Sequence, residues 1–513
     1  MKWFKFSFVH TTRGAIVSSA LSNQKGSIAY EGEIMTAKNN IWHFAKKSFE
    51  EVRNLRPTLR FATGVLCLLL AFSGACYAQG ATSSTQTHTP PKSWVDAETG
   101  HRILRLSDEP NSTTFDINRS AFTCDGLDMI YTVPRKYTDK GEIHVLNLAT
   151  LETKLLFRGD IEDVVVGTKT RRVFFTKARD LHIFTADIDT GQITQLAAQR
   201  PVIVEITSIN ADETLLGGTN DDLKAKDVTY FEVMAYKEMA EERKSDPSIK
   251  YGEQEPHSRA VKMRLDAKSR EDLITINLQT GKVTTVLSGT DWLDNVRFSP
   301  TDPTLMLYRH EGPYTDVDRL WTIRTDGTQN QLIHQRSQKE ESVGHEFWSQ
   351  DGKTIWYEWQ MPKGENFILT GYDVATGKRR YFRLDKSAAP RYYDAAQDES
   401  LFASGANRPK FIYPYEKLKS GQTSEWVEVL YPVLTNSVDT SSAPYVNWQS
   451  SNNAVNPNVQ INGWFRSERL INLHKEDGRR IQPDVRISPD KKLVIFTSNM
   501  FGPSYVFAAE VNK

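Results

Sequence analysis

A short strand–turn–strand unit recurs along this chain, and it constrains the fold more than any other feature. Its clearest copies begin in residues 292–348, where apolar strands run into turns at Ser299-Pro300 and Asp351-Gly352. Ser-Pro and Asp-Gly pairs end one strand and begin the next. A related hairpin recurs about every 45 residues, with one copy missing, and its copies lie at 146–151, 187–191, 277–281, 324–327 and 373–377. Because four short strands fill a repeat of that length, the sequence predicts an all-β propeller.

The number of repeats predicts seven blades over residues 94–513. The third and sixth blades are longer than the others, which predicts insertions at 222–262 and 409–480. The first insertion has the apolar spacing of a helix over 228–243. Long loops on a rigid scaffold are commonly functional. We therefore expect a seven-bladed β-propeller with two insertions.

The ring of blades is expected to close through strands from both ends of the propeller segment. The last two strands of the sequence lie at 493–498 and 505–511, and an apolar strand lies near the start of the segment at 103–106. Closure removes the exposed edges that an open sheet would leave. We therefore expect 103–106 to complete the final blade.

The N-terminal region carries the pattern of a secretory signal peptide. A basic stretch at 53–60 precedes the apolar run at 61–72, and small residues follow it up to Ala78. The run is shorter than the roughly 20 residues that a membrane span needs. We expect a signal peptide at about 53–78, a periplasmic or secreted protein and no membrane span after cleavage.

Cleavage at this point sets the predicted domain boundaries. Residues 1–78 are the leader and signal peptide, and Ser, Thr, Gln and Pro make 79–93 a flexible spacer. Acylation of Cys76 is the alternative to simple cleavage. After cleavage Cys124 is the single cysteine left, so no internal disulfide can form and stability must come from a large core.

The charge balance excludes a global electrostatic field. Lys plus Arg and Asp plus Glu are both 64, so the sequence gives no sign of a nucleic-acid or membrane-surface partner. A charged ligand must then be held by a local patch. The oligomeric state is not set by any feature of the sequence.

Equivalent positions of the repeats predict a polar ring at one mouth of the central channel. Side chains on a strand alternate between its faces, so the position four residues before each turn points the same way in every blade. Those positions are Arg119, Asp163, Ile206, Asn295, His345, Tyr392 and Asp484. Two residues further along stand Arg297, Asp394 and Arg486. Arg119, Arg297 and Arg486 can hold an anionic ligand, although a water-filled polar channel would show the same pattern.

Five segments resemble the oligogalacturonate lyase family. They are Trp-Val-Asp-Ala-Glu-Thr-Gly-His-Arg at 94–102, Leu-Ser-Asp-Glu-Pro at 106–110, Phe-Ser-Pro-Thr-Asp-Pro at 298–303, His-Glu-Gly-Pro at 310–313 and His-Glu-Phe-Trp at 345–348. The resemblance implies a seven-bladed propeller that cleaves uronate oligosaccharides of pectin by β-elimination. It also implies a divalent metal, with manganese the expected ion. Metal and arginine groups would neutralise the substrate carboxylate, so that a side-chain base can remove the adjacent proton.

The resemblance carries over unevenly to the predicted site. His345 stands where the family supplies a metal ligand, and Asp484 can bind a hard cation in the last blade. Where the family has His and Gln before the Phe-Ser-Pro turn, this sequence has Asn295 and Arg297. Arg486 replaces a further expected ligand. Because these changes gather at the channel mouth, either the substrate and mechanism have shifted or catalysis has been lost.

Three side chains are candidates for the catalytic base. His310 belongs to the His-Glu-Gly-Pro segment, Tyr392 would act as in tyrosine-dependent lyases, and His257 lies in the first insertion. Each also has a structural interpretation, as a strand-end, sugar-stacking or solvated side chain. The predicted site therefore comprises catalytic His310, Tyr392 and His257, substrate-binding Arg119, Asn295, Arg297 and Arg486, and metal-binding His345 and Asp484.

Two further classes of function are compatible with the sequence. One is a non-catalytic carbohydrate-binding propeller that keeps the arginine mouth but lacks a base and a metal. The other is a protein-interaction propeller like the TolB-type modules of the cell envelope. A propeller scaffold alone does not decide between them.

Overall fold

The computed structural model describes most of the predicted propeller segment. The described residues are 89–115, 120–134, 140–178, 180–199, 204–221, 228–249, 255–361, 363, 366–384, 392–405, 411–412, 416–417, 426–435, 461–473 and 481–513. The predicted leader and signal peptide at 1–78, the spacer up to residue 88, Arg119 and most of the second insertion lie outside them.

Short strands make up most of the described secondary structure. The first ten, β1 to β10, are Ser93–Val95, Arg102–Arg105, Asp128–Val133, Gly141–Asn147, Thr153–Gly159, Ile161–Val166, Arg172–Lys177, Asp180–Asp187, Ile193–Gln199 and Val204–Ile209. The next ten, β11 to β20, are Leu215–Asp221, Glu271–Asn277, Val283–Gly289, Trp292–Phe298, Leu305–Glu311, Leu320–Arg324, Gln331–Leu332, Ser342–Trp348, Thr354–Gln360 and Phe367–Asp373. The last described strands, β21 to β30, are Arg379–Leu384, Tyr392–Ala395, Phe402–Gly405, Phe411–Ile412, Glu416–Lys417, Trp426–Leu434, Gly463–Asn472, Arg486–Ile487, Leu493–Ser498 and Tyr505–Glu510.

Most of these strands form antiparallel sheets in which chain neighbours are also sheet neighbours. The sheets β6–β9, β10–β13 and β14–β17 have four strands each, and β3–β5 form a three-stranded sheet. The groups β18–β21 and β22-β23-β26-β27 are joined into one sheet by parallel pairing of β21 with β27. The first strands of neighbouring sheets pack side by side, β6 by β10, β10 by β14, β18 by β22 and β22 by β28. The predicted all-β propeller is thereby confirmed, while the count of seven blades stays a prediction.

The repeated hairpins of the sequence have a common physical basis. Asp373 Oδ1 accepts a hydrogen bond of 2.7 Å from the Thr376 backbone NH, and Gly377 closes the turn with a φ of 69°. Asp187 and Gly191 repeat this arrangement, as do Asn277 and Gly281. An Asp or Asn side chain that caps its own turn, followed by a residue with positive φ, fixes a tight connection. The sequence repeat therefore marks real and equivalent hairpins.

The sheet that closes the fold draws on both ends of the described chain. Its strand order is β1-β2-β30-β29-β28, and Ile103 on β2 pairs with Ala509 on β30. The predicted pairing of 103–106 with the C-terminal strands is confirmed for β2. Ile103 and Ala509 are both fully buried in a cluster with Phe496 and Phe507. Apolar burial therefore holds the two ends of the described chain together.

Two helices occupy a connection that is a hairpin loop in other sheets. α1 (Val228–Ser245) and α2 (Glu255–Asp266) lie between β11 and β12, which pair directly with each other. α1 matches the helix predicted over 228–243, whereas α2 was not predicted. The Arg264 guanidinium near the end of α2 makes a buried ion pair of 2.6 Å with Glu271 on β12 and lies 3.7 Å from the Trp292 ring centre. The helices are thus fixed to the sheets that carry β12 and β14.

The two described helices are short and carry many charged side chains. Neither α1 nor α2 has the length and apolar character to cross a bilayer.

Candidate functional site

The first strands of several sheets carry an irregularity at equivalent places. In β14 the pairing register with β15 shifts between Asp294 and Arg297, and in β18 the register with β19 shifts between Gly344 and Phe347. β6 and β10 show comparable shifts, between Ile161 and Val164 and between Ile206 and Ser208. A β-bulge of this kind bends the strand and re-aims side chains. The repeats are therefore equivalent in local geometry as well as in sequence.

Three polar residues at the predicted ring positions have left-handed backbone conformations. They are Asn295, His345 and Asp484, with φ of 60°, 54° and 42°. Residues other than glycine rarely adopt this conformation, and Asn, Asp and His are the types that tolerate it best. Backbone strain of this kind gathers at functional sites. The predicted equivalence of the three positions is therefore visible in the backbone.

Contacts between neighbouring sheets bring three of the predicted site residues, Asn295, His345 and Tyr392, to one end of the strands, which we call the mouth end. Trp292 at the start of β14 pairs with Glu311 at the end of β15, so both lie at this end. Asn295 Nδ2 donates a hydrogen bond of 2.7 Å to Glu346 Oε1 on β18. The His345 and Tyr392 rings lie 6.0 Å apart between β18 and β22. The mouth end is therefore continuous across three first strands.

A buried polar seam joins β14 and β18 at the mouth end. Arg297 Nη2 donates to Asn295 Oδ1, and Asn295 in turn donates to Glu346. Arg297 and Glu346 are 4% and 1% exposed, so their charges must be held by neighbouring groups. Arg309 Nη1 lies 3.6 Å from Glu346 Oε1. The seam therefore runs from the Arg297 guanidinium through the Asn295 amide and the Glu346 carboxylate to the Arg309 guanidinium.

The outer part of the same seam is an ion-pair cluster around Glu311. Arg309 Nε and Arg319 Nη2 each lie 2.7 Å from Glu311 Oε2. Burial would raise the pKa of Glu311, but Arg309 and Arg319 outweigh it and hold that pKa below its usual value. Arg309 also lies 3.6 Å from Asp294 Oδ2, beside the bulge of β14. The cluster is therefore ionised and fixes the strand ends on which the seam is built.

A second polar contact joins β22 to β28. Asp394 Oδ2 accepts a hydrogen bond of 2.8 Å from the Ile487 backbone NH. Burial raises the pKa of Asp394, and the nearby Arg486 guanidinium offsets part of that rise. Arg486 is 3% exposed and donates to the carbonyl oxygens of Val485 and Phe115. Part of the Arg486 charge is therefore balanced within the protein.

The three predicted catalytic residues have different surroundings. Tyr392 is half-buried beside His345, as described above. His310 lies at the end of β15, with its ring 5.2 Å from Trp321 and its Nδ1 3.7 Å from Asp291. His257 is an exposed residue of α2, and its Nδ1 lies 3.0 Å from Glu232 on α1. The structure thus pairs Tyr392 with the predicted metal ligand His345, while His310 and His257 have other partners.

Sequence reasoning missed the residues that hold the seam together. Glu346 directly follows His345, so strict alternation would turn its side chain to the opposite face. The bulge at 344–347 breaks that alternation and brings Glu346 to Asn295. Arg309 and Glu311 lie on the second strand β15 and Arg319 directly precedes the third strand β16, none of which the alignment of first strands included. The mixture of charged and apolar residues at the end of β15 was the available signal.

The described residues do not fit a metal centre on their own. Of the predicted ligands, His345 lies on β18 and Asp484 lies two residues before β28, which belongs to a different sheet. No group of three or more His, Cys, Asp or Glu side chains is placed to hold a metal ion within the described part of the chain. Divalent transition metals usually have three or more protein ligands. His345 and Asp484 therefore stay predicted ligands, and we derive no chemical step through a metal.

The sheets and their polar first strands define an all-β protein of the propeller class. Two solved structures share this fold. An oligogalacturonate lyase in complex with manganese has a TM-score of 0.59 and 18% identity, with 82% of this chain and 96% of that chain covered. An oligogalacturonate lyase from Vibrio parahaemolyticus has a TM-score of 0.60 at the same identity and coverage.

The resemblance to the oligogalacturonate lyase family is also confirmed in sequence. The family model described as oligogalacturonate lyase matches residues 263–409. Oligogalacturonate lyase of Dickeya dadantii is 33% identical over 241 residues, which cover 47% of this chain and 55% of that protein. Oligogalacturonide lyase of Pectobacterium atrosepticum is 33% identical over 113 residues, 22% of this chain and 29% of that protein. The match therefore spans about half the length of the Dickeya dadantii protein and under a third of the length of the Pectobacterium atrosepticum protein.

Proposed function

We propose that this chain is a lyase that cleaves uronate oligosaccharides by β-elimination, as part of pectin breakdown. The observation that carries the proposal is the extent of the family match. The matched segment, residues 263–409, includes the seam and the His345–Tyr392 pair as well as scaffold strands, and it also contains the departures from the family pattern at Asn295 and Arg297. Export to the periplasm or the medium is part of the proposal, and it is supported by the signal-peptide pattern at 53–78.

The proposed substrate carboxylate would be held by guanidinium groups at the mouth end. Arg297 is buried and oriented by Asn295, which favours a fixed, paired hydrogen-bond geometry. Arg486 would assist from β28, with its charge moderated by Asp394. Neutralising the carboxylate lowers the cost of the negative charge that develops when the adjacent C–H proton leaves. Arg297 is therefore the principal predicted anion-binding residue.

Removal of that proton requires a base within reach of the bound sugar. The proposal assigns it to Tyr392, whose ring lies 6.0 Å from that of the predicted metal ligand His345 at the mouth end. The Tyr392 phenolate would accept the proton, and the resulting phenol would return it to the departing glycosidic oxygen. His310 and His257 remain alternative bases. Their Nδ1 atoms face the carboxylates of Asp291 and Glu232, respectively.

A carbohydrate-binding propeller without catalysis is the second candidate function. It is favoured by the donor set of the described residues, which falls short of a metal centre. Such a protein would use Arg297 and the aromatic Tyr392 to bind a uronate chain without cleaving it. Calorimetry separates the two functions, because the binder would show affinity without turnover and without sensitivity to a chelator.

The lyase activity is tested by incubating the purified chain with short galacturonate oligomers. Elimination creates a carbon–carbon double bond conjugated to the carboxylate, and its ultraviolet absorbance is recorded with and without added manganese. We expect Arg297→Ala to lower the rate about a hundredfold, which is typical of losing one charge-stabilising group. Arg102→Ala is the matched control, because Arg102 is an exposed arginine on β2.

The absence of any absorbance change with all uronate oligomers tried would overturn the lyase proposal. Metal content is measured on the same samples after dialysis. Retention of a divalent metal by His345→Ala would remove His345 as a principal ligand, and its loss would support that assignment.

A further inference from the structure

We propose that Glu346 is a positioning residue that acts on Arg297 through Asn295. The anion-binding part of this inference rests on the proposed function. The chain of contacts is direct, since Glu346 Oε1 accepts from Asn295 Nδ2 at 2.7 Å and Asn295 Oδ1 accepts from Arg297 Nη2. Neither contact follows from the resemblance; the Arg297–Asn295 contact lies within β14, and the Asn295–Glu346 contact crosses from the β14–β17 sheet to β18.

The orientation of the Asn295 amide is the step that Glu346 controls. An asparagine side chain has one accepting oxygen and one donating nitrogen, which can exchange places by a flip. A carboxylate can only accept, so Glu346 requires the Asn295 nitrogen to face it. The Asn295 oxygen is then directed toward Arg297. A flipped amide would present a donor to a guanidinium group, which has no acceptor.

Burial makes this orientation rigid. Asn295, Arg297 and Glu346 are 7%, 4% and 1% exposed, so water does not readily replace a lost partner. Oε2 of Glu346 has no hydrogen-bond partner among the residues that the structure describes. The carboxylate is therefore held mainly through Oε1, by Asn295 and by Arg309 at 3.6 Å. Glu346 therefore acts on Asn295 through one atom, Oε1, which accepts the hydrogen bond from Asn295 Nδ2.

The same segment also sets the position of the predicted metal ligand His345. Glu346 and His345 are consecutive residues of the bulge in β18, and His345 has a φ of 54°. Arg319 Nε lies 4.0 Å from the position that a Cβ would take on Gly344. The segment 344–346 is thus confined by Asn295 on one side and by the Arg309–Glu311–Arg319 cluster on the other. Glu346 therefore links the anion-binding Arg297 to the His345–Tyr392 pair.

The experiment compares Glu346→Ala, Glu346→Gln and Arg297→Lys, together with the double variant Glu346→Ala/Arg297→Lys. Gln keeps an oxygen that can accept a hydrogen bond from Asn295. Glu346→Gln should therefore retain most of the oligomer affinity that Glu346→Ala loses. Glu341→Ala is the matched control, because Glu341 is equally buried but holds His334 and Ser337 instead. Two readouts are used: affinity for a galacturonate oligomer by calorimetry, and the NMR signal of the Arg297 guanidinium, assigned by its loss in Arg297→Lys.

We expect Glu346→Ala to weaken oligomer affinity about tenfold, the value of one well-placed hydrogen bond to a charged group. In the double variant the loss should equal that of Arg297→Lys alone, because both changes act through one guanidinium. The Arg297 signal should be sharp in wild type, Glu346→Gln and Glu341→Ala, and averaged by motion in Glu346→Ala. A purely structural Glu346 would lower stability without this coupling.

Two outcomes separate this inference from the proposed function. An unchanged Arg297 signal in Glu346→Ala, or losses that simply add in the double variant, would overturn the positioning role. A wild type that binds no uronate oligomer would overturn the proposed function. In that case the signal of Arg297 alone decides the positioning role, because it is measured without ligand.

Discussion

His310 is held in a partly apolar environment at the end of β15. Its ring lies between Tyr308 and Trp321, and Asp291 is 3.7 Å from Nδ1. Burial lowers the pKa of His310 below its usual value, and Asp291 recovers only part of the shift. The folded state therefore favours the neutral imidazole, which is also the form that a base requires.

This environment makes stability depend on pH through His310. The unfolded chain takes up a proton near pH 6.5, whereas the folded chain does so at lower pH. The contribution of His310 is therefore full above about pH 6.5 and is lost as the pH falls from there through the folded pKa. In urea unfolding between pH 5 and 8, the free energy of unfolding should fall less with decreasing pH in His310→Gln than in wild type.

The matched control for this titration is His257→Gln, because His257 is exposed on α2. It should follow the wild-type pH dependence of the free energy of unfolding. If the free energy of unfolding fell equally at low pH in wild type and His310→Gln, the environment of His310 would not disfavour the charged imidazolium.

Residue positions were predictable from sequence where the repeat alone sets them. Asn295, His345 and Asp484 share a ring position and a left-handed backbone, as the alignment of turns suggested. The partner Glu346 was not predictable, because its direction depends on a bulge. A bulge depends on pairing with β19, which is a non-local property that no short pattern encodes.

At the level of elements, α2 is anchored by a single buried cation. Arg264 pairs with Glu271 at 2.6 Å and lies over the Trp292 ring. Removing one partner leaves the other charge buried, which costs about 3–5 kcal/mol. Arg264→Ala should lower the free energy of unfolding by that amount, measured by urea denaturation.

Lys262→Ala provides the comparison on the same helix. Lys262 makes an exposed ion pair of 3.1 Å with Asp266, and such pairs contribute about 0–1 kcal/mol. If Arg264→Ala proved no more destabilising than Lys262→Ala, the anchoring role of Arg264 would be wrong.

The two helices also differ in how far the sequence predicted them. α1 was expected from the spacing of Phe231, Met234 and Met239, and Phe231 and Met239 are indeed buried. Phe231 packs against Ala260 of α2. α2 has few apolar residues, and its contacts with α1 and the Arg264–Glu271 ion pair support its helical state.

At the scale of the molecule, the closing sheet joins β2 to β30 through fully buried side chains. Ile103 is fully buried against Phe507 and Ala509. Ile103→Ala should cost about 2–5 kcal/mol, the range for truncating a buried isoleucine. Thermal unfolding followed by circular dichroism should show one transition at a lower temperature.

Arg102→Ala on the same strand is the control, because the Arg102 side chain is exposed. It should leave the transition temperature nearly unchanged. A separate early transition in Ile103→Ala, with the remainder unfolding as wild type does, would argue against cooperative closure.

Closure could be predicted from sequence because apolar strands stood at both ends of the propeller segment. The merging of two four-stranded groups through β21 and β27 could not. Phe382 pairs with Gly463 across a long insertion, and nothing in either segment specifies its partner. Parallel contacts between distant segments depend on the assembled fold rather than on local sequence.

The pairing of Ile103 with Ala509 has a consequence for how the chain folds. β2 cannot pair with β30 until β30 has been synthesised, so the closing sheet cannot form before the end of synthesis. Folding rates fall as contacts between distant residues increase, because the entropy of closing the chain is lost before the contact forms. We therefore expect slow folding in which intermediate sheets form early and a late docking of the two ends completes the native state.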